Sequence, residues 1–369
     1  MSGSDRRALE YSRYFIGAGH SITLVLPQVG VERYKDTGAR LLISDSNPNP
    51  SKPTLGLFLK RINGANKVTR NLDLSPDDVI YSSSDLLADS IPAINLKKKH
   101  KDAKLICGLH LISPHPLKGF KNVFTSGLSL PGLRDLYYYF SQRYVISQLK
   151  KYASLVLVSN EMDKAKLITS GFTEERVLVA YGAADKDTIA RASSSQKEYD
   201  AVFIGRLHRQ KGLDDLMSFV NNISQKKKDF SLALISDIPA YSLQPILDKY
   251  GIQRNVFFFG FKDNLEKFEI MKKSRFLVFP SFYESFGMVI CEAMACGLAV
   301  LAYDLPIYKD IYPAGILKAR IGDVDDLVEK ALVLLTDDSK LKALSEEAFE
   351  VSKKFDWEKT AKAILSKLG

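Results

Sequence analysis

One stretch, from Phe276 to Asp304, constrains the fold of this chain more than any other. Its first apolar run, Phe276–Phe279, is typical of a buried strand, and Pro280 ends that strand because proline cannot donate a hydrogen bond to a neighbouring strand. A polar turn follows, and residues 288–296 are predicted to form a helix. A second apolar run, Ala299–Ala302, comes next. Because strand–helix–strand crossovers are right-handed, the two strands are predicted to be parallel.

Ligands of parallel sheets bind at the carboxyl ends of the strands, where the turn after Phe279 lies. Glu284 stands in that turn and Glu292 in the helix, with seven residues between them. The neighbours of Glu292 are small or apolar, and a buried carboxylate seldom lacks a partner or a role. A purely structural explanation remains open, in which Glu284 caps the helix and Glu292 pairs with a nearby cation.

A second turn of the same kind lies upstream. The strand Tyr199–Ile204 runs into Gly205 and Arg206, and Lys211 and Gly212 then open another helix. Glycine after a strand lets the backbone approach a ligand, and a helix N-terminus favours anions. With one forked and one point cation beside them, these features predict a diphosphate site. A solvated basic loop is the alternative.

These two turns, GRLHRQKG and PSFYESFGMVICEAMACG, resemble the signature of the retaining glycosyltransferases of family 4. The resemblance covers essentially the whole second half of the chain and is weaker in the first half. It implies an α/β fold of the GT-B type, in which two Rossmann-like domains face a central cleft. It also implies transfer of a sugar from a nucleotide diphosphate sugar to an acceptor hydroxyl, with retention of configuration.

The resemblance assigns roles to residues. Glu284 is expected to hold the donor sugar and Glu292 the ribose, while the backbone at Gly260 passes beside the nucleobase. His110, just past a strand, is expected near the donor sugar in the cleft; a loop histidine bonded to backbone is the alternative. The residues expected to bind the donor are Gly205, Arg206, Lys211, Gly260, Phe261, Glu284, Phe286, Gly287, Met288 and Glu292. Those expected to act in catalysis are Glu284, His110, Arg206 and Lys211, and those of the acceptor side of the cleft are Gly3 and Ser159.

A chain of 369 residues exceeds one ordinary core and suits two domains. The polar segment Arg191–Lys197 is the natural linker. We therefore expect an N-terminal, acceptor-binding domain over residues 1–192 and a nucleotide-sugar domain over residues 198–354. The resemblance implies that the last helix, about residues 355–369, packs back on the first domain.

The start of the chain departs from the family pattern, in which a strand and a glycine-rich loop precede the first helix. Here Ser2-Gly3-Ser4 resembles the end of that loop, and no strand comes before it. Either the start codon is placed late or the protein has lost this strand. In the second case the first sheet is expected to have a gap near its centre.

Charge is distributed unevenly along the chain. Residues 1–197 hold 28 Lys and Arg against 18 Asp and Glu, a net charge of +10, and residues 198–369 hold 24 against 25, a net charge of −1. The asymmetry predicts an anionic partner for the first half, such as a membrane surface. The basic, aromatic stretch from Arg134 to Lys151 suits such a surface, although an ordinary helix with one packed face is the favoured interpretation there. No nucleic-acid-binding motif accompanies the charge.

No run of 18 apolar residues and no secretory signal is present, and the three cysteines lack metal-binding spacing. They are expected to be buried thiols of a cytoplasmic protein, peripheral on the inner face of the membrane. The string Asp323-Val-Asp325-Asp326 is similar to a metal-binding motif, but its place before a helix favours capping, so no metal is predicted.

The sequence therefore predicts a glycosyltransferase that uses a UDP- or GDP-linked sugar and no cofactor. Its acceptor is predicted to be a glycan or a lipid-linked molecule at the cytoplasmic membrane face. The alternative is a non-catalytic protein of the same fold that binds nucleotide sugars or acts as a scaffold.

Overall fold

The computed structural model describes residues 3–46, 55–124, 127–193 and 196–368. They form two compact units. Unit 1 contains Met1–Pro116, Pro131–Gly182 and Asp356–Gly369, and unit 2 contains Leu117–Leu130 and Ala183–Phe355. The predicted linker falls partly on residues 194 and 195, which lie outside the described residues.

Unit 1 is built from short parallel strands and the helices that connect them. Its strands are β1 (Thr23–Pro27), β2 (Arg40–Asp45), β3 (Val79–Ser82), β4 (Lys104–Gly108), β5 (Leu155–Val158) and β6 (Val177–Val179). Its helices are α1 (Gly3–Gly17), α2 (Val31–Tyr34), α3 (Leu55–Thr69), α4 (Leu87–Lys99), α5 (Leu133–Tyr152), α6 (Glu161–Thr169) and, at the end of the chain, α15 (Trp357–Ser366).

The sheet of unit 1 is divided within the described residues. Strands β1 and β2 form one parallel pair, and β3 to β6 form a separate four-stranded sheet in chain order. Helix α1 packs on both: Leu9 contacts the cluster around Leu26 of β1, whereas Tyr11 contacts the cluster around Leu155 of β5. This division agrees with the gap expected in the case where the first strand is absent, and α1 packs against both sheets.

Unit 2 holds a six-stranded parallel sheet. Its strands are β7 (Tyr199–Ile204), β8 (Leu232–Ile235), β9 (Val256–Phe258), β10 (Ser274–Phe279), β11 (Ala299–Tyr303) and β12 (Ile316–Ala319). Its helices are α7 (Lys186–Arg191), α8 (Leu213–Lys226), α9 (Ala240–Tyr250), α10 (Asn264–Lys272), α11 (Met288–Ala295), α12 (Tyr308–Ile311), α13 (Val324–Thr336) and α14 (Asp338–Ser352).

The strand order of this sheet, β12-β11-β10-β7-β8-β9, places β10 between β11 and β7. Phe276 of β10 pairs with Ala299 of β11 and with Ala201 of β7, in parallel register on both sides. The parallel arrangement predicted for the stretch from Phe276 is thus confirmed. Because β7 and β10 are neighbours, the turns that follow them leave the same edge of the sheet side by side.

Residues 117–130 and 183–192 belong to unit 2, although the sequence prediction had placed them in the first domain. Aromatic packing accounts for the first of these segments. The rings of Phe120 and Phe124 lie 5.6 and 6.1 Å from the ring of Tyr283, between centroids. Such side chains bury large apolar areas, so the contact fixes the segment to its unit.

We expect Ile364→Ala to destabilise unit 1. Ile364 of α15 is buried in a cluster with Ile106 and Leu157, and removing a buried isoleucine leaves a cavity that costs about 2–5 kcal/mol. Trp357, the single tryptophan of the chain, contacts Tyr11 and so reports on this unit. Urea unfolding followed by its fluorescence measures the change. Lys362→Ala, on the exposed face of the same helix, is the matched control, and equal midpoints for the two variants would contradict the assignment.

Candidate functional site

Two turns of unit 2 are held together by hydrogen bonds around Gln210. One turn follows β7 and the other follows β10. The Phe282 amide donates to the Gln210 carbonyl at 2.8 Å, and the Ser281 hydroxyl donates to the same oxygen at 3.1 Å. The Gln210 side-chain amide donates in return to the Tyr283 carbonyl at 2.9 Å. Because Gln210 is buried, these bonds fix one turn against the other.

The position of Gly212 allows this close approach. Its φ of +71° lies in the left-handed region, and a Cβ atom there would stand only 2.0 Å from the carbonyl oxygen of Pro280. Any other residue would force the backbones of the two turns apart. The glycine that closes the first motif is thus required by the packing of the second.

This packing brings Lys211 against Glu284. The ammonium Nζ lies 2.5 Å from the carboxylate Oε1, and both side chains are largely buried. The Ser281 hydroxyl donates a second hydrogen bond to the same oxygen at 2.6 Å. The capping role considered for Glu284 is not observed, since Gly287 is the N-cap of α11 and no side chain caps it. A predicted cation and a predicted acid therefore meet at the edge of the sheet.

Arg206, in the same turn as Lys211, is placed differently. Its side chain is exposed, and it makes no ion pair with the part of the chain that the structure describes. Gly205, just before it, follows directly on β7. A guanidinium in this position can accept an anion without first breaking another contact.

Glu292 belongs to a second ion pair. Its carboxylate lies 2.8 Å from the Lys267 ammonium of α10, and Lys267 also lies 3.5 Å from Asp263. The side chains of Glu292 and Lys267 are each about one-tenth exposed. A nearby cation is what the structural explanation of Glu292 required. The two acids are thus held by two different lysines, each from a different helix or turn.

The loop after β9 carries Gly260 and Phe261. The Gly260 carbonyl accepts a hydrogen bond from the Ser236 amide at 3.1 Å, and Phe261 is more than half exposed. The Ser236 hydroxyl, at the end of β8, is buried and has no hydrogen-bond partner among the described residues. A buried hydroxyl without a partner is costly, so this position is a candidate for contact with a ligand.

The residues around the start of α11 are rigidly packed. The ring of Phe286 is buried, 5.7 Å from that of Tyr312 and 5.1 Å from that of Phe355. The Tyr312 hydroxyl donates to the Gly287 carbonyl at 3.3 Å, and Met288 begins the helix. The Phe286 side chain thus contributes packing, which fixes the backbone that the sequence had predicted to bind an anion.

In unit 1, His110 lies in a short chain of polar contacts. Its Nδ1 is 3.3 Å from the Ser159 hydroxyl, which accepts a hydrogen bond from the Arg7 guanidinium at 3.2 Å. Burial, and then the charge of Arg7, hold the pKa of His110 well below its ordinary value. Its Nε2 packs over Gly108, where a Cβ atom would come within 2.5 Å. His110 and Ser159 are therefore together, while Gly3 is the exposed first residue of α1, one turn before Arg7.

A buried carboxyl group lies in the segment between β3 and α4 of the same unit. Asp85 accepts a hydrogen bond from the Gln142 side chain at 2.8 Å. Burial raises the pKa of Asp85 to about 6, and this bond opposes the rise. The group is one that sequence reasoning did not select.

The aspartates of the string at residues 323–326 form a helix cap. Asp323 accepts a hydrogen bond from the Asp326 amide at 3.0 Å, and Asp326 accepts one from the Arg320 amide at 2.7 Å. Lys330 also pairs with Asp326. The capping predicted for this string is confirmed.

Four residues that matter for these arrangements were missed in the sequence. Gln210 and Ser281 join the two turns, and Lys267 and Arg7 hold Glu292 and Ser159. Gln210 and Ser281 lie inside the quoted motifs, so their place beside Lys211 and Glu284 was a usable signal. Lys267 and Arg7 are distant in sequence from their partners, and only the fold brings them there.

Residues 185–351 match the family model described as glycosyl transferases group 1. An uncharacterized glycosyltransferase of Methanocaldococcus jannaschii, MJ1178, is 32% identical over 197 residues, which cover 52% of this chain and 53% of that protein. The gpi3 subunit of the Schizosaccharomyces pombe phosphatidylinositol N-acetylglucosaminyltransferase is 24% identical over 246 residues, which cover 65% of this chain and 53% of that one. The chain thus spans about half the length of these curated relatives.

Among solved structures, Anabaena HepE in complex with UDP and glucose has a TM-score of 0.73 at 16% identity, and the likeness covers 100% of this chain and 96% of that chain. This likeness confirms the predicted α/β, two-domain fold of the GT-B type. The comparisons also support the family resemblance: residues 185–351 of this chain match the model of the group 1 glycosyltransferases.

Proposed function

We propose that the protein is a retaining glycosyltransferase that moves a sugar from a nucleotide diphosphate sugar to an acceptor hydroxyl without a metal ion. The observation that carries the proposal is the contact between Lys211 and Glu284 at the joined ends of β7 and β10. A cation suited to a diphosphate and a carboxylate suited to sugar hydroxyls stand side by side in a domain of this family.

The charges of unit 2 fit the donor part of this proposal. Negative charge builds up on the leaving diphosphate as the sugar departs, and fixed donors must meet it. Arg206 is exposed and could contact the diphosphate, and Lys211 lies in the same turn after β7. Part of the charge of Lys211 is balanced by Glu284, so Arg206 would carry the larger share of the new charge. The backbone at Gly287, at the N-terminus of α11, would add its dipole.

Retention of configuration is proposed from the state of Glu284. Its carboxylate oxygen already accepts hydrogen bonds from Ser281 and Lys211. A carboxylate engaged in this way is better suited to accept a hydrogen bond from a sugar hydroxyl than to attack the anomeric carbon. The proposal is therefore attack from the front face, assisted by the leaving phosphate, through an oxocarbenium-like state. Glu292 would hold the ribose hydroxyls and Gly260 and Phe261 the nucleobase, in a UDP- or GDP-linked donor.

The acceptor proposed is a lipid-linked molecule or a glycan at the cytoplasmic membrane face. The net charge of +10 in residues 1–197 supports an anionic acceptor or surface. The relative named as a phosphatidylinositol N-acetylglucosaminyltransferase has a lipid in its name, which supports the same proposal. No helix among the described residues is long and apolar enough to span a bilayer.

A panel of nucleotide sugars distinguishes this enzyme from a non-catalytic nucleotide-sugar-binding protein or scaffold. A donor that binds raises the melting temperature by mass action. Release of the nucleoside diphosphate that depends on an added glycan or lipid-linked acceptor then indicates transfer rather than hydrolysis of the donor. If donors bind but no acceptor leads to release, the non-catalytic alternative is favoured. If no donor binds and no nucleoside diphosphate is released, the proposal of a donor site is overturned.

Arg206→Ala should lower kcat/KM by about 10²- to 10³-fold, because it removes a charge that meets the leaving diphosphate. Arg206 has no ion pair among the described residues, so the melting temperature should stay the same. Arg209→Ala removes an exposed arginine from the same turn and is the control. Equal losses in both variants would show a general charge effect and would refute the specific role.

Glu292→Gln should raise the KM for the donor strongly while kcat changes less, because the ribose contact is made before the chemical step. Lys267→Met breaks the same ion pair from the other side. If Glu292 serves only to pair with Lys267, both variants lose stability and neither changes the donor KM. Steady-state kinetics and thermal melting of both variants measure these two effects separately.

The free energy of unfolding should fall as the pH drops below about 6.5, because the unfolded chain then takes up a proton that the folded state keeps off His110. Above that pH this contribution is fully present. In His110→Gln the free energy of unfolding should fall less steeply with pH than in the unchanged protein, by about 1.4 kcal/mol for each pH unit below 6.5. Urea unfolding followed by Trp357 fluorescence at mildly acidic and neutral pH measures the difference. Parallel pH curves for the two proteins would contradict the buried, neutral state of His110.

A further inference from the structure

Helix α5 has two faces of opposite character. Its buried residues, Gln142, Val145, Ile146 and Leu149, pack on unit 1. The Gln142 side chain, for example, donates to the Leu111 carbonyl at 2.8 Å and the Ser113 amide donates to it at 2.7 Å. The packed face that was favoured for the stretch from Arg134 to Lys151 is thus present, but it occupies only one side of the helix.

The opposite side of α5 exposes a row of large apolar residues, which we call the aromatic stripe. Leu133, Tyr137, Phe140 and Tyr144 are 86%, 40%, 63% and 49% exposed. Their spacing of four, three and four residues places them within about 40° of one line along the helix. None of the four belongs to the buried core. The ring of Tyr137 lies 6.2 Å from that of Phe58, and the ring of Phe140 lies 5.4 Å from that of Tyr139 of the same helix. Contiguous exposed apolar surface of this kind marks an interaction site.

Basic side chains accompany the aromatic stripe. Lys151 is exposed and lies on the line of the stripe, about five turns from Leu133. Arg134 and Arg143 are exposed on its two flanks, within about 100° of that line. The single acid of the helix, Asp135, lies on the other side of α5 and accepts a hydrogen bond from the Gly132 amide at 2.9 Å. The exposed face of α5 therefore combines apolar and positive groups and carries no acid.

We propose that the aromatic stripe of α5 docks on an anionic lipid bilayer, with its aromatic rings and leucine in the headgroup region and its basic residues on the anionic lipids. Aromatic side chains favour this region because one end is apolar and the other polar. A helix that lies in the plane of the surface gains from both the apolar area and the charge. The docking does not require sugar transfer, so it can be tested without a known substrate.

Charge favours a membrane over a second copy of the chain. In a two-fold symmetric contact the same patch faces itself. The arginines and lysine of one α5 would then approach those of the other with no acid on either exposed face to pair with them. An anionic surface offers those partners, and the net charge of +10 in residues 1–197 acts in the same direction.

The test is sedimentation of the protein with vesicles of phosphatidylcholine alone and of phosphatidylcholine with about 30% phosphatidylglycerol. We expect binding to the anionic vesicles at least about tenfold tighter than to the neutral ones, and weaker binding as salt is added. The triple variant Leu133→Ser, Phe140→Ser, Tyr144→Ser should bind the anionic vesicles at least about tenfold less tightly. Tyr137 is left in place because of its contact with Phe58.

Two further variants make the result specific. Lys151→Gln should weaken binding about fivefold, since one basic residue near the surface contributes about that factor. The double variant Tyr241→Ser, Phe349→Ser removes exposed aromatic rings from α9 and α14 of unit 2, which are 81% and 44% exposed, and should bind as the unchanged protein does. Thermal melting of all variants checks that they are folded.

Three outcomes would overturn the proposal. In the first, the unchanged protein does not sediment with either kind of vesicle. In the second, the folded triple variant binds as tightly as the unchanged protein. In the third, the unchanged protein is a dimer in sedimentation equilibrium and the triple variant a monomer, which would make the stripe an interface between copies. Vesicle binding that is lost in the triple variant and kept in the unit 2 control would support it.

Discussion

The hydrogen bonds of Gln210 to the segment Ser281–Tyr283 are the constraint on which the candidate site depends. Parallel pairing of β7 with β10 brings two turns to one edge of the sheet, but neighbouring turns are ordinarily free to diverge. The buried amide of Gln210 and the close approach at Gly212 remove that freedom. The position of Lys211 relative to Glu284 is thereby set by backbone geometry, which is how a binding group is held ready before its ligand arrives.

Both acids of the site are held in largely buried ion pairs. Such pairs contribute little net stability, because removing two charges from water costs about as much as their attraction returns. The ion pairs instead fix the positions of the two carboxylates. If Glu284 moved away, the Lys211 ammonium would lose its charge partner in a partly apolar surrounding that includes the Phe279 ring. Glu292 is held against α10 by its ion pair with Lys267. For the same reason, substitutions in these pairs disturb stability as well as binding, whereas Arg206 is free of that complication.

Local patterns in the sequence predict much of the fold and part of the site. Apolar runs bounded by glycine or proline identify β7, β10 and β11, and the turns after β7 and β10 identify the residues that meet. Strand β12 was missed because Ile316-Leu-Lys-Ala319 is short and mixed in character. The partner of Glu292 was missed because any of several lysines could serve and only the packing of α10 selects Lys267. The exposed face of α5 was underestimated because its apolar residues are distributed nearly all round the helix, so that composition does not separate a packed side from an open one.

The division of the sheet in unit 1 gives α1 an unusual mechanical position. Leu9 rests on the pair β1–β2 and Tyr11, two residues later, on the sheet of β3–β6. Without backbone pairing between these sheets among the described residues, each can open on its own. The two parts of unit 1 that unfold separately would therefore be joined through helix α1 and not through a pair of hydrogen-bonded strands. Arg7, which reaches Ser159 from the same helix, would then lose that hydrogen bond if the sheet of β3–β6 moved away from α1.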